Sequence, residues 1–160
     1  MGRVGENKSD CHFIGQLKFR NKEPDAFIAG VGTGGTIMGV GKFLKEKNQD
    51  IKIYPLEPSN SPTLSTGWKV GKHRLQGISD EFIPSIVDLD KLDEVIAVDD
   101  GDAIIMAQML ASQLGIAVGI SSGASLAAVA KKVKELPAGS RILTFSYDHG
   151  ERYLSVDDLF

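Results

Sequence analysis

The run Gly30-Val31-Gly32-Thr33-Gly34-Gly35-Thr36 constrains this chain more than any other stretch. An apolar run, Ala26 to Gly30, leads into it and reads as a buried strand. Beyond it, Ile37, Val40, Phe43 and Leu44 recur at helical spacing, which predicts a helix from about Gly35 to Lys47. The chain thus passes from strand to helix through a glycine-rich turn. Such a turn gathers backbone N–H groups at a helix N-terminus, where the dipole also favours an anion. Glycines let a phosphate come close to the backbone, and Thr33 and Thr36 add hydroxyl donors. The expectation is a phosphate cradle, weighed against a tight turn with nothing bound.

Further strands are expected at Ile51–Leu56, Glu94–Val98, Ile116–Ile120 and Arg141–Ser146. Pro55 points to a strand end or a sheet edge. Asp99 or Asp100 is expected to cap a helix carrying Ala103, Ile104, Met106, Ala107, Leu110 and Leu114, and Gly115 to end it. Met106 and Met109 read as core filler. Ser121-Ser122-Gly123 opens an alanine-rich helix that ends near Pro137. Strands alternate with helices, so the fold class is α/β, a parallel-rich sheet flanked by helices. Ligands in such sheets bind beyond the carboxyl ends of the strands. Three turns are expected to face one cleft there: Gly32–Thr36, Gly77–Asp80 and Ser121–Gly123. The polar connection from Glu57 to Gln76, which holds Trp68, is long enough to be functional or mobile. Residues 1–23 keep no period and are expected to form a poorly ordered or atypical N-terminal segment. One α/β domain is expected over residues 24–160.

Composition narrows the function classes. A length of 160 residues fits one domain with a real core. The net charge of −3 makes no case for nucleic acid or an anionic membrane surface. No apolar run approaches a membrane span, and no secretory signal is visible. The single cysteine, Cys11, excludes an internal disulfide framework and suits a reducing cytoplasm. No metal is expected: Cys11 and His12 are adjacent, which is poor spacing for joint ligation. His73 and His149 stand in polar stretches without ligand partners and are expected at the surface.

Two readings compete for the cleft. Gly30-x-Gly32-x-x-Gly35, with Glu57 at the end of the next strand, fits the dinucleotide-binding fingerprint of a Rossmann-like oxidoreductase domain. That reading leaves Thr33, Thr36 and Ser121-Ser122-Gly123 unexplained. A phosphorylated aromatic cofactor explains both clusters. It needs a cradle for the phosphate and a neutral hydroxyl beside its ring nitrogen.

Four segments resemble a known family: Gly32-Thr33-Gly34-Gly35-Thr36, Gln76-Gly77-Ile78, Gly119-Ile120-Ser121-Ser122-Gly123-Ala124 and Gly150-Glu151-Arg152-Tyr153-Leu154-Ser155. In order and spacing, from about Pro24 to Leu154, they resemble the cysteine synthase (O-acetylserine sulfhydrylase) and cystathionine β-synthase family. The resemblance implies the tryptophan-synthase β-like fold of the fold type II pyridoxal-phosphate enzymes, here its large-domain portion. It implies that Gly32, Thr33, Gly34, Gly35 and Thr36 hold the phosphate of pyridoxal 5′-phosphate. Ser121 would hydrogen-bond the pyridine nitrogen, although it also suits a helix N-cap. Gln76, Gly77 and Ile78 would lie by the amino-acid substrate on a closing loop. The implied activity forms or breaks cysteine from O-acetylserine-like substrates and sulfide, in a cytoplasmic homodimer.

Two departures qualify that expectation. The family's Schiff-base lysine lies in a serine-x-lysine-aspartate-arginine setting in its first half, and no lysine here has that setting. Residues 1–22 do not resemble the corresponding part either. The chain is therefore expected to match the C-terminal half of such an enzyme and to be inactive alone. The second departure is Ser79-Asp80-Glu81, where the family commonly carries small residues. An acid beside the closing loop could bias the reaction toward elimination or another β-replacement. Asp80 is thus a candidate catalytic residue, beside the plainer reading as a solvated loop acid.

Overall fold

The computed structural model describes residues 23–79, 82–153 and 155. Cys11, His12 and Asp80, and the expectations attached to them and to the N-terminal segment, lie outside these residues.

The sheet is built on β1 (Ala26–Gly30), every residue of which is buried. The glycine-rich turn follows, and then α1 (Gly35–Lys47). β2 (Lys52–Pro58) lies parallel to β1, with Phe27 opposite Ile53 and Gly30 opposite Leu56. A short helix, α2 (Thr63–Thr66), begins the long connection. β3 (Ile96–Val98) leads into α3 (Asp100–Leu114), and α4 (Ile120–Lys132) follows directly. β4 (Ile142–Leu143) completes a parallel sheet of order β3-β2-β1-β4. Alternate β1 side chains feed two cores. Phe27 and Ala29 pack with Ile37, Val40 and Leu44 of α1, whereas Ala26 and Ile28 pack with α3 and α4 through Ala103, Ala107 and Ala124. A parallel strand covered on both faces needs this unbroken apolar run.

β1, α1 and α3 fall where the pattern put them. Asp99 caps α3, its carboxylate accepting from the Gly101 N–H at 2.9 Å, and Gly115 ends the helix at a φ of 68°. Met106 packs against the core but Met109 is exposed, so only one of the two methionines is filler.

Elsewhere the pattern misled. Pro55 sits inside an interior strand rather than at an edge, opposite Ala29. The reason lies in the two-residue period. The Ile53 N–H and carbonyl both face Asp93, bonding its carboxylate and its N–H at 2.8 Å each. Pro55 faces the same way, and the β3 ladder begins only at Leu56, so its missing N–H breaks no rung. Ile116–Ile120 is not a strand: Val118 makes a single antiparallel bridge to His149, and Ile120 already belongs to α4. α4 ends at Lys132, well before Pro137. The last strand shrinks to Ile142–Leu143, after which the Thr144 hydroxyl, not its backbone, donates to the Ile28 carbonyl at 2.9 Å. The long connection is pinned: Leu75 is fully buried, and the Thr63 hydroxyl donates to the Lys69 carbonyl at 3.2 Å. His149 is exposed as expected, but His73 is half-buried, with Nδ1 enclosed and unpartnered among the described residues.

Candidate functional site

Beyond the carboxyl end of β1 the chain enters the cradle. Gly34, the N-cap of α1, takes a φ of 85°, a region that favours glycine. A Cβ there would overlap Val87, so that wall and the backbone twist, not the cleft, demand glycine at this position. A Cβ on Gly32 would come within 2.6 Å of the Gly77 carbonyl oxygen, because the second turn lies directly on the first. That second turn is itself twisted, with φ of 78° at Gly77 and 62° at Ser79. It is tied down by the Ser79 N–H, which donates to the Val31 carbonyl at 2.8 Å, and by the Ser79 hydroxyl, which donates to the Ser61 carbonyl at 3.1 Å. The third turn opens α4. Its N-cap is Gly119, and Ser121, which also suited an N-cap, stands inside the first turn.

The three turns enclose one cavity of about 370 Å³, within the roughly 300–1,000 Å³ of small-molecule sites. Gly32, Thr33, Gly34, Gly35 and Thr36 line it, as do Gln76, Gly77 and Ile78 on a second side and Ser121 on a third. Every expected site residue that the structure describes is therefore in this wall. No lysine, arginine or histidine is among the described lining residues. Lys42, Lys45 and Lys47 lie along α1 away from its start, and Lys131 and Lys132 end α4. Lys132 is buried and paired with Glu94 and Glu135 at 2.6 Å each.

The helix ends differ in a telling way. α3, away from the cavity, has one of its free N–H groups, that of Gly101, capped by the Asp99 side chain. α1 and α4 have no side-chain cap. The first turn of a helix carries N–H groups with no intrahelical partner, and the dipole adds partial positive charge there. Two such ends at one cavity offer neutral donors to an anionic or lone-pair acceptor without any cation.

A fourth side of the wall was not foreseen. Tyr147, Asp148 and Tyr153 line the cavity from the C-terminal stretch. The segment is docked by the Gly150 N–H, which donates to the Ala117 carbonyl at 2.9 Å, and by the Val118–His149 bridge. The Tyr153 phenol donates to Asp148 Oδ2, while Oδ1 is enclosed and unpartnered among the described residues. Burial, with the adjacent carboxylate, pushes the Tyr153 phenol up to about 12. Gly119 is needed beneath this pair, since a Cβ there would overlap the Tyr153 ring. The available signal was the Gly150–Ser155 segment, which carried the family resemblance but no site residue.

The dinucleotide reading fails on its acid. Glu57 is 1% exposed and its carboxylate is consumed by α2: it accepts from the Leu64 N–H at 2.7 Å, from the Ser65 N–H at 3.3 Å and from the Ser65 hydroxyl. It does not line the cavity and cannot hold a ribose there. Among the described residues no cluster of three or more His, Cys, Asp or Glu could hold a metal. No helix among them is long and apolar enough to cross a membrane.

Comparison with known proteins agrees with this geometry. The family described as pyridoxal-phosphate dependent enzymes matches residues 13–148, and the chain belongs to it. The match begins ahead of Pro24, where the resemblance was expected to start. Cysteine synthase B of Campylobacter jejuni is 50% identical over 141 residues, covering 88% of this chain and 46% of that protein. A cysteine synthase of Staphylococcus aureus is 46% identical over 139 residues, 87% of this chain and 44% of that one. The crystal structure of a hydrogen sulfide-producing enzyme from Fusobacterium nucleatum has a TM-score of 0.88 at 53% identity, over 95% of this chain and 45% of that chain. The chain thus spans a little under half the length of the curated relatives it matches. The parallel sheet with helices on both faces is that of the fold type II enzymes.

Proposed function

We propose that residues 24–160 bind pyridoxal 5′-phosphate in this cavity, as the cofactor domain of a cysteine synthase-like enzyme. Its substrate is a small amino acid, cysteine or an O-acetylserine-like ester, with sulfide taken up or released at the β-carbon. A cytoplasmic homodimer is the proposed setting. The observation that carries this reading is the pair of uncapped helix N-termini on one cavity. Gly32 to Thr36 hold the phosphate through backbone N–H groups and the Thr33 and Thr36 hydroxyls. Ser121 gives the ring nitrogen a neutral hydroxyl partner. Gln76 to Ile78 position the amino acid. When bound, the cofactor supplies an electron sink, and these backbone and side-chain groups supply orientation and exclusion of water.

Gly35 provides the test. An added Cβ there meets only the Thr33 hydroxyl oxygen, at 3.8 Å, so alanine fits the protein but takes space from a bound phosphate. Gly35→Ala is expected to leave the thermal midpoint unchanged or raised, since alanine is the better helix former. It is expected to weaken binding of pyridoxine 5′-phosphate by about tenfold or more, the cost of one displaced charge-assisted hydrogen bond. Unchanged affinity in a calorimetric titration contradicts the assignment.

A further inference from the structure

We propose that Tyr147 is a second hydrogen-bond donor on the ring-nitrogen side of this cavity, working beside Ser121. The inference rests on the pyridoxal-phosphate reading above. A tyrosine hydroxyl has one proton to give and lone pairs that accept. The Gly30 N–H donates to Tyr147 Oη at 2.7 Å, and the Ser125 hydroxyl donates to it at 3.3 Å. Both donors are fixed. Gly30 ends β1, and Ser125 is fully buried in α4. With its acceptor positions filled from the protein side, the phenol has only its proton left to offer.

The direction follows from the neighbours. The Tyr147 N–H donates to the Ser122 hydroxyl oxygen at 3.0 Å, which holds the residue against the first turn of α4. Ser121 and Ser125 are four residues apart, hence on one face of that helix. Tyr147 Oη therefore stands one turn along from Ser121 on the same face, and both residues line the cavity. The residue lines the cavity, while its hydroxyl is held between strand and helix. Burial raises the phenol above its ordinary value, and the bonds from Ser125 and Gly30 only partly offset this, so the proton is kept at neutral pH.

A neutral hydrogen-bond donor to an aromatic nitrogen stabilises its unprotonated form. The other titratable groups among the described lining residues, Asp148 and Tyr153, are bonded to each other and unchanged by a substitution at Tyr147. Removing that donor must then make the nitrogen easier to protonate. The probe is pyridoxine 5′-phosphate, which lacks the aldehyde and needs no lysine. Its ultraviolet bands report ring protonation. On the full chain, Tyr147→Phe is expected to move the pH midpoint of the bound probe upward by about one unit, the size of one neutral hydrogen bond. A residue that only props the strand against the helix would weaken binding without moving the midpoint, and an unmoved midpoint overturns the proposal. Should Tyr147→Phe not fold, because the Gly30 N–H loses its partner, Ser125→Ala is read the same way. It loosens the hold on the phenol and is expected to shift the midpoint upward by a smaller amount, with no shift again overturning the proposal. Failure of the wild-type chain to bind the probe at all would overturn the pyridoxal-phosphate reading and this inference with it. Binding with an unmoved midpoint removes this inference alone.

Discussion

Replacing Gly123 with alanine is expected to destabilise the fold by about 3 kcal/mol, although alanine is the better helix former. α3 and α4 meet through small residues, Ala103 and Ala107 against Gly123, Ala124 and Ala127. A Cβ on Gly123 would overlap the Ala103 carbonyl oxygen and come within 2.9 Å of the Ala107 nitrogen. Both are helix backbone, so no rotamer change relieves the clash and one helix must move. Propensity alone would favour the substitution by up to roughly 1 kcal/mol. Backbone overlap in a close-packed core outweighs that. The thermal midpoint should fall by roughly 6–12 °C. Gly123 is also two residues from Ser121, so the displaced helix start should weaken cofactor binding too. A midpoint within a degree or two of the wild type would show that the helices have slack here.

The second large effect concerns turnover. With pyridoxal 5′-phosphate added, this chain is expected to bind the cofactor but not to process cysteine or O-acetylserine. Chemistry at an amino acid's α-carbon relies on a lysine held against the cofactor, as covalent partner and proton carrier. None of the lysines among the described residues lines the cavity. Lys69 and Lys72 are in the pinned connection, and Lys132 is committed to Glu94 and Glu135. The loss of a positioned proton carrier alone costs on the order of 10²–10⁴ in rate. Borohydride reduction followed by peptide mapping checks this. The expected result is no stoichiometric adduct at a described lysine and no product. One stoichiometric adduct at a single lysine, with turnover, would contradict it.

The parts of the fold that were legible in the sequence are those governed by local rules. β1 and α1 share a continuous apolar run, a glycine turn and a helical period, and these agree with one another. The end of α3 at Gly115 follows from the left-handed φ that closes a helix. What escaped is set by distance in the chain. The Gly30 N–H finds its acceptor in Tyr147, 117 residues away, and no local pattern announces such a bond. Tyr147 consequently joined the wall unannounced, and Asp148 with it, whereas Tyr153 lay in a segment that carried the resemblance but no assigned site residue. Ile116–Ile120 had strand composition, but among the described residues its only β-pairing is the single Val118–His149 bridge, and Gly119 is committed beneath Tyr153. Glu57 had the spacing of a ribose-binding acid. Only the fold shows that the serine- and threonine-rich turn after it takes both carboxylate oxygens.

Calorimetric titration of the chain with pyridoxine 5′-phosphate and, separately, with pyridoxine tests most directly whether the uncapped start of α1 and the glycine turn before it form a phosphate cradle. Two charge-assisted hydrogen bonds from backbone N–H groups should make the phosphate ester bind about a hundredfold more tightly than the free alcohol, roughly 3 kcal/mol. Equal affinity for the two compounds would contradict the account.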